Sequence, residues 1–216
     1  GDRGGAPRPR RGAAVLGPPL RGHEAHFLEQ RQVAVTFVVA LDAGVAIPVP
    51  DDAEIAAMKD VAAFIGKAHD IYGYDHFLND AGGSICELDD AGMLEVLAKH
   101  TLILYLRAGD DMEQELIRRA VEKPKPLYYR EDFLEARLAA YLAETGCTSA
   151  GQIDPDSFVT WIFPHLVQHR RPRYTAIAEQ YGYTVNARDI NTLRDEADFL
   201  ELVAAAIPQR STSRIG

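Results

Sequence analysis

The 216 residues are 47% hydrophobic and 25% charged, ordinary values for a soluble globular protein and enough chain for one α/β core. The net charge of -9 argues against a generally basic nucleic-acid-binding surface, and no apolar run reaches the roughly 20 residues that span a bilayer. Two cysteines far apart, Cys86 and Cys147, with no CxxC pair, argue against a structural zinc and suggest a reducing cytoplasm.

Residues 1–22 are rich in Gly, Pro and Arg. They hold five arginines against one aspartate, which leaves about -13 for the remainder. Such a segment buries little apolar area and is expected to be a disordered basic tail. The expected domain is a single α/β unit over 23–207, followed by a frayed tail, 208–216. Within it, 23–43 carries helix-favouring letters, although the β-branched cluster VAVTFVV equally fits a strand. IPVPDD (47–52) is a break, with Asp51 or Asp52 as N-cap. Residues 53–71 set Ile55, Met58, Val61, Ala62, Ile65 and Ala68 on one helical stripe.

A strand is expected over 74–80, then a helix over 88–100 capped by Asp89 or Asp90. TLILYLRA (101–108) is an apolar run of strand length, the pattern of a parallel strand covered on both faces. A helix follows over 111–121. KPKPLYYR (123–130) is irregular, because two prolines sit two apart. A helix over 131–146 stops at Gly146. The apolar helix 154–171 is expected to kink or break at Pro164, and a separate helix is expected over 172–182 with Pro172 at its start. A short strand, 183–187, and an amphipathic closing helix, 188–207, complete the chain. Helices alternating with short apolar strands predict a short parallel sheet flanked by helices, with ligands beyond the carboxyl ends of the strands.

The stretch Asp80-Ala-Gly-Gly-Ser84 lies at such an end. A carboxylate there can hold Mg²⁺ that bridges phosphate oxygens, with Ser84 as a second metal or phosphate contact. Gly82 and Gly83 let a ligand approach the backbone, and Glu87 is placed to orient a nucleophile. The plainer alternative is a tight turn with Asp80 as its own cap. Arg118, Arg119, Lys123, Lys125 and Arg130 put five cations in 13 residues, which reads either as a mobile phosphate-neutralising loop or as a solvated basic surface. Arg170, Arg171 and Arg173 in HRRPRY are candidates for stacking on a base or clamping phosphate, or else for pairing with the chain's many carboxylates. His76, Trp161 and Phe163 read as core residues. Cys86 has no cation fixed beside it in sequence that would make it a nucleophile.

Taken in order, IYGYDHFLNDAGGSICELDD, TLILYLRA, KPKPLYYREDFLEA, HRRPRYTAIAEQYGYTV and RDEADFLELVAAAI resemble a family of bacterial P-loop ATPases with the general build of shikimate- and adenylate-kinase-like proteins. The resemblance covers about residues 52–207. It implies a P-loop-type ATPase or small-molecule kinase that binds ATP and Mg²⁺. Asp80 would stand at the Walker B position, KPKPLYY as a lid, and HRRPRY as the arginine-bearing helix start near the nucleotide. It implies a cytoplasmic enzyme with an unidentified small-molecule acceptor, possible as a homo-oligomer, with no nucleic-acid or membrane partner.

Residues 1–50 depart from that family, because no G-x-x-x-x-G-K-[ST] loop occurs in them. GPPLRGHE (17–24) has the glycine spacing but neither the Lys nor the Ser/Thr. The chain is therefore expected to be weakly active or inactive, either as a truncated reading frame or as a domain that has lost its phosphate loop. The alternative is a non-catalytic interaction or regulatory protein on the same scaffold. The central sheet position of the phosphate-loop strand is either filled by residues from 33–49 or closed by direct pairing of the strands at 75–80 and 101–107.

Overall fold

The computed structural model describes residues 33–39, 51–125 and 127–207. The tails at 1–22 and 208–216 lie outside them, as do residues 23–32 and 40–50. Four strands form one all-parallel sheet: β1 (Val33–Val39), β2 (His76–Asp80), β3 (Leu102–Arg107) and β4 (Gly182–Asn186). Their order across the sheet is β2-β1-β3-β4. The segment VAVTFVV is thus a strand, and the helical reading of that part of 23–43 is corrected. A β-branched run favours the extended backbone, and strands on both sides pair with it. Val35 sits opposite Leu78 on one side and Leu102 on the other. β1 therefore separates β2 from β3.

The eight α-helices among the described residues are α1 (Asp51–Lys59), α2 (Val61–Tyr72), α3 (Ala91–His100), α4 (Asp110–Glu122), α5 (Glu131–Thr145), α6 (Pro155–Tyr181), α7 (Ala187–Ile190) and α8 (Glu196–Ala206). They cover both faces of the sheet. The alternation of β3 makes the division plain: Ile103 and Tyr105 enter a core with α2, α3 and α6, while Leu102 and Leu104 enter a second core with Leu200 and Val203 of α8. A third cluster joins Phe133 of α5 to Ile162 and Leu166 of α6.

Three helical stretches are divided or joined otherwise than expected, while the strand expected over 74–80 and the helix expected over 88–100 begin later, at His76 and Ala91. The single helix over 53–71 is two, divided at Asp60. The closing helix over 188–207 is also two. Asn186 caps the first turn, and Asp195 starts α8 by accepting from the Asp198 amide at 3.0 Å. The third difference runs the other way, since α6 is one helix of 27 residues through both Pro164 and Pro172. Each proline removes one ladder bond. Buried side chains on both sides, from Ile162 to Ala178, hold the helix against its neighbours and outweigh that loss. At its end, Gly182 marks a close approach of strands and not a left-handed cap. A Cβ there would lie 2.3 Å from the carbonyl oxygen of Ile103.

Candidate functional site

The turn after β2 begins as a cap. The exposed Asp80 carboxylate accepts from the Gly82 amide at 3.0 Å, and Gly82 has φ 68°, the left-handed conformation that favours glycine. Ser84 donates from Oγ to Glu54 of α1 at 2.9 Å. A 3-10 turn, Ile85–Glu87, then carries the chain inward. Glu87 ends 2% exposed, its carboxylate beneath α6.

Around Glu87 the structure gathers residues from three separate stretches of sequence. Arg170, 4% exposed, donates from Nε to Glu87 Oε1 at 2.9 Å and from Nη2 to the Tyr128 carbonyl at 3.0 Å. Arg130 donates to the Glu87 carbonyl at 2.8 Å and pairs with Asp89. Arg173 donates to the Cys86 carbonyl at 3.1 Å and stands 3.5 Å from Asp89 and 3.6 Å from Glu87 Oε2. His169 Nε2 lies 3.7 Å from the same Oε2. That separation is beyond hydrogen-bond length, and both atoms are buried without a hydrogen-bond partner. The His169 ring lies against Phe133, with centroids 4.6 Å apart. Tyr174, stacked on Tyr105, donates from its hydroxyl to the Gly83 carbonyl at 2.7 Å.

The backbone is bent to make this meeting possible. Asp89 has φ 48°, and among the described residues it is the one non-glycine in that region. Asp tolerates the conformation better than most residues. It turns one carboxylate, Asp89, toward Arg130 and Arg173. The next, Asp90, caps α3 by accepting from the Met93 amide. The Met93 amide and Lys59 hold the Asp90 carboxyl below its ordinary range.

Burial sets the chemistry of the neighbouring groups. The Cys86 thiol is pushed up to about 12 by burial, with the Glu87 charge adding to it. It is a packed thiol, not a thiolate nucleophile. Burial likewise raises Tyr129 to about 12 and holds the Tyr174 hydroxyl well above the ordinary phenol value.

Of the residues singled out from sequence, Glu87, Arg130, Arg170 and Arg173 come together, with Gly83 at their margin. The others do not join them. Arg118 and Arg119 pair with Glu115 on the surface of α4, and Arg118 also with Glu122. Arg171 pairs with Glu113, with Nε to Oε1 at 3.0 Å. Lys123 and Lys125 are exposed and make no ion pair among the described residues. Asp80 and Ser84 form no metal cage, since no group of three or more His, Cys, Asp or Glu ligands assembles among the described residues. A lone exposed carboxylate with one oxygen already spent on a turn amide does not fit a resident Mg²⁺. Two members of the cluster, Asp89 and His169, carry no functional signal in the sequence. Asp89 reads in sequence as a cap. His169 is visible only as the residue before Arg170.

The cluster is close to charge-balanced. Glu87, Asp89 and Asp132, which lies 3.5 Å from Arg130, face Arg130, Arg170 and Arg173. Such a set can fasten the β2 turn, the 127–130 segment and α6 together, and it leaves little positive charge for an incoming anion. Comparison with family models, with curated proteins and with solved structures finds no match.

Proposed function

We propose that this chain is a non-catalytic interaction protein built on a kinase-like P-loop scaffold. The observation that carries the reading is that the four arginines of the 130 and 170–173 stretches, Arg130, Arg170, Arg171 and Arg173, each face a carboxylate of the same chain. A phosphate would have to displace Asp89 from Arg130 and Arg173, Glu113 from Arg171, and Glu87 from an Arg170 lying in the core. In an α/β sheet of this order the ligand crevice lies where the strand order reverses, beyond the carboxyl ends of β1 and β3. The helix after β3 opens with Asp110, Asp111 and Glu113, which repel an anion from its N-terminus. Residues 40–52, which follow β1 in sequence, contain three aspartates and no cation. Both cysteines are free, in keeping with a reducing, cytoplasmic setting. No helix among the described residues is long and apolar enough to cross a membrane.

The second reading is a weakly active ATPase or small-molecule kinase, and the strand order favours it. β1 occupies the position between β2 and β3 that the phosphate-loop strand takes in the family the sequence resembles. Under it, Asp80 and Ser84 would meet Mg²⁺ only as an ion the nucleotide brings, with Ser84 giving up Glu54, and Arg130 and Arg173 would exchange Asp89 for phosphate oxygens. Calorimetry of the full chain with Mg²⁺·ATP at millimolar concentration separates the two. The expected result is no saturable heat. Saturable binding that Asp80→Ala abolishes and Asp89→Asn strengthens would overturn the interaction reading in favour of the kinase.

A further inference from the structure

Among the described residues, six large apolar side chains are exposed, and five of them lie on α2, on β2 or on the turn joining the two: Phe64, Ile71, Tyr72, Tyr74 and Leu78. The sixth, Val121, is on α4. Ile71 and Tyr72 are each 66% exposed and Leu78 is 57% exposed, although Leu78 sits in a strand. Scattered exposed apolar residues need no explanation, but a group along one edge does.

β2 is one of the two outer strands of the sheet, β4 being the other. Among the described residues β2 pairs with β1 alone, so its other side presents unpaired amides and carbonyls. The five residues of β2 alternate between faces. Phe77 and Asn79 face the core beneath α1 and α2, where Asn79 donates to Thr36. His76, Leu78 and Asp80 face the α8 side, where His76 Nε2 lies 2.9 Å from Glu196 at the start of α8. α8 packs on Leu102, Leu104, Tyr183 and Val185 and leaves Leu78 open.

We infer that this edge is an interface between two copies of this chain, with the β2 strands antiparallel about a two-fold axis at Leu78. The strand HFLND is self-complementary in that register and in no other centred within it. Leu78 meets Leu78 of the second copy, and His76 stands opposite Asp80 twice, once on each side of the axis. Cross-strand partners lie about 4.5–5.5 Å apart at Cβ, so the two leucines touch, and each His76, which keeps Glu196 of its own chain on Nε2, comes opposite the Asp80 of the second copy. The pairing joins two four-stranded sheets into one of eight and covers the outer edge of β2 in each copy, leaving β4 outermost. α2 packs beside β2 on the other face of the sheet and carries the exposed Phe64 and Ile71 two turns apart. An unrelated partner would have to supply both a strand edge and an apolar side chain opposite Leu78, whereas a second copy supplies both by symmetry. The inference does not depend on whether the chain binds nucleotide.

Sedimentation equilibrium of the full chain tests it at about 100 μM, where a contact of micromolar Kd is saturated. We expect a reversible dimer whose Kd rises at least tenfold in Leu78→Lys, because like charges would then oppose each other on the axis. Oxidation with copper phenanthroline tests the register. In a Cys147→Ser background, Leu78→Cys should give a disulfide-linked dimer, since the two sulfurs meet on the axis. Tyr74→Cys, four residues off it, should not. A monomer at that concentration, a dimer indifferent to Leu78→Lys, or cross-linking at 74 in place of 78 would each overturn the inference.

Discussion

Removing the Glu87 carboxylate should destabilise the protein by about 3–5 kcal/mol, because it strands the Arg170 charge in the core. Arg170 is 4% exposed and has two acceptors, Glu87 Oε1 at 2.9 Å and the Tyr128 carbonyl at 3.0 Å. In Glu87→Ala only the neutral carbonyl remains. The damage should stay local, because Arg130 and Arg173 hold the backbone carbonyls of Glu87 and Cys86, which the substitution leaves in place. For a chain of this size, each kcal/mol lowers the melting temperature by about 2–4 °C, so Glu87→Ala should melt about 6–20 °C lower. Urea unfolding followed by far-ultraviolet circular dichroism measures the cost. The fluorescence of Trp161, the single tryptophan, reports on α6, since its ring stacks against Phe158 and donates to Glu144. The decisive sample is the double variant Glu87→Leu with Arg170→Met. Replacing both charges with hydrocarbon of similar volume should recover most of the loss. If Glu87→Ala cost under about 1 kcal/mol, or if the double variant were as unstable as the sum of the singles, the pair would not be the buried latch described here.

Gly182→Ala should cost about 1–3 kcal/mol in the same denaturation assay, because its Cβ would lie 2.3 Å from a backbone oxygen of β3 that cannot swing aside. Gly66→Ala, inside α2 with nothing within 4 Å of the added carbon, should stabilise by about 0.5–1 kcal/mol and serves as the matched control. The thiol of Cys86 is raised from 9.0 to about 12 on folding, so the stability tied to its proton is complete below pH 9 and is lost as the pH rises toward 12. Its alkylation by iodoacetamide near neutral pH should therefore await unfolding, and labelling at the rate of a free thiol in the native protein would contradict its burial.

Most of the fold was readable in the sequence because local chemistry decides it. TLILYLRA is apolar at every inward position of both faces, and it became β3, lying between two neighbours. The signals that misled were also local. VAVTFVV satisfies both a strand and a buried helix segment, and only the pairing of β1 with β2 and β3 decides between them. Pro172 reads as a helix start. It lies instead in the interior of α6, because Arg170 and Tyr174 on either side are pinned, one to Glu87 and the other to Gly83. A helix anchored on both sides of a proline can lose one ladder bond and stay continuous.

The candidate site was legible as a set of residue types but not as a set of partners. HRRPRY and KPKPLYYR announce arginines, and in isolation an arginine suits a phosphate as well as a carboxylate. What decides between them is which anion is already present at contact distance. For Arg170 that anion is a carboxylate 83 residues away in sequence. For Arg130 and Arg173 it is Asp89, brought round by a left-handed residue that no composition signals. The bulk charge did carry a hint, since a chain at -9 has more carboxylates than cations to match them. In such a chain an arginine cluster remains free for a ligand only where the fold keeps carboxylates away. Here the turn after β2 delivers Glu87 and Asp89 into the middle of the cluster.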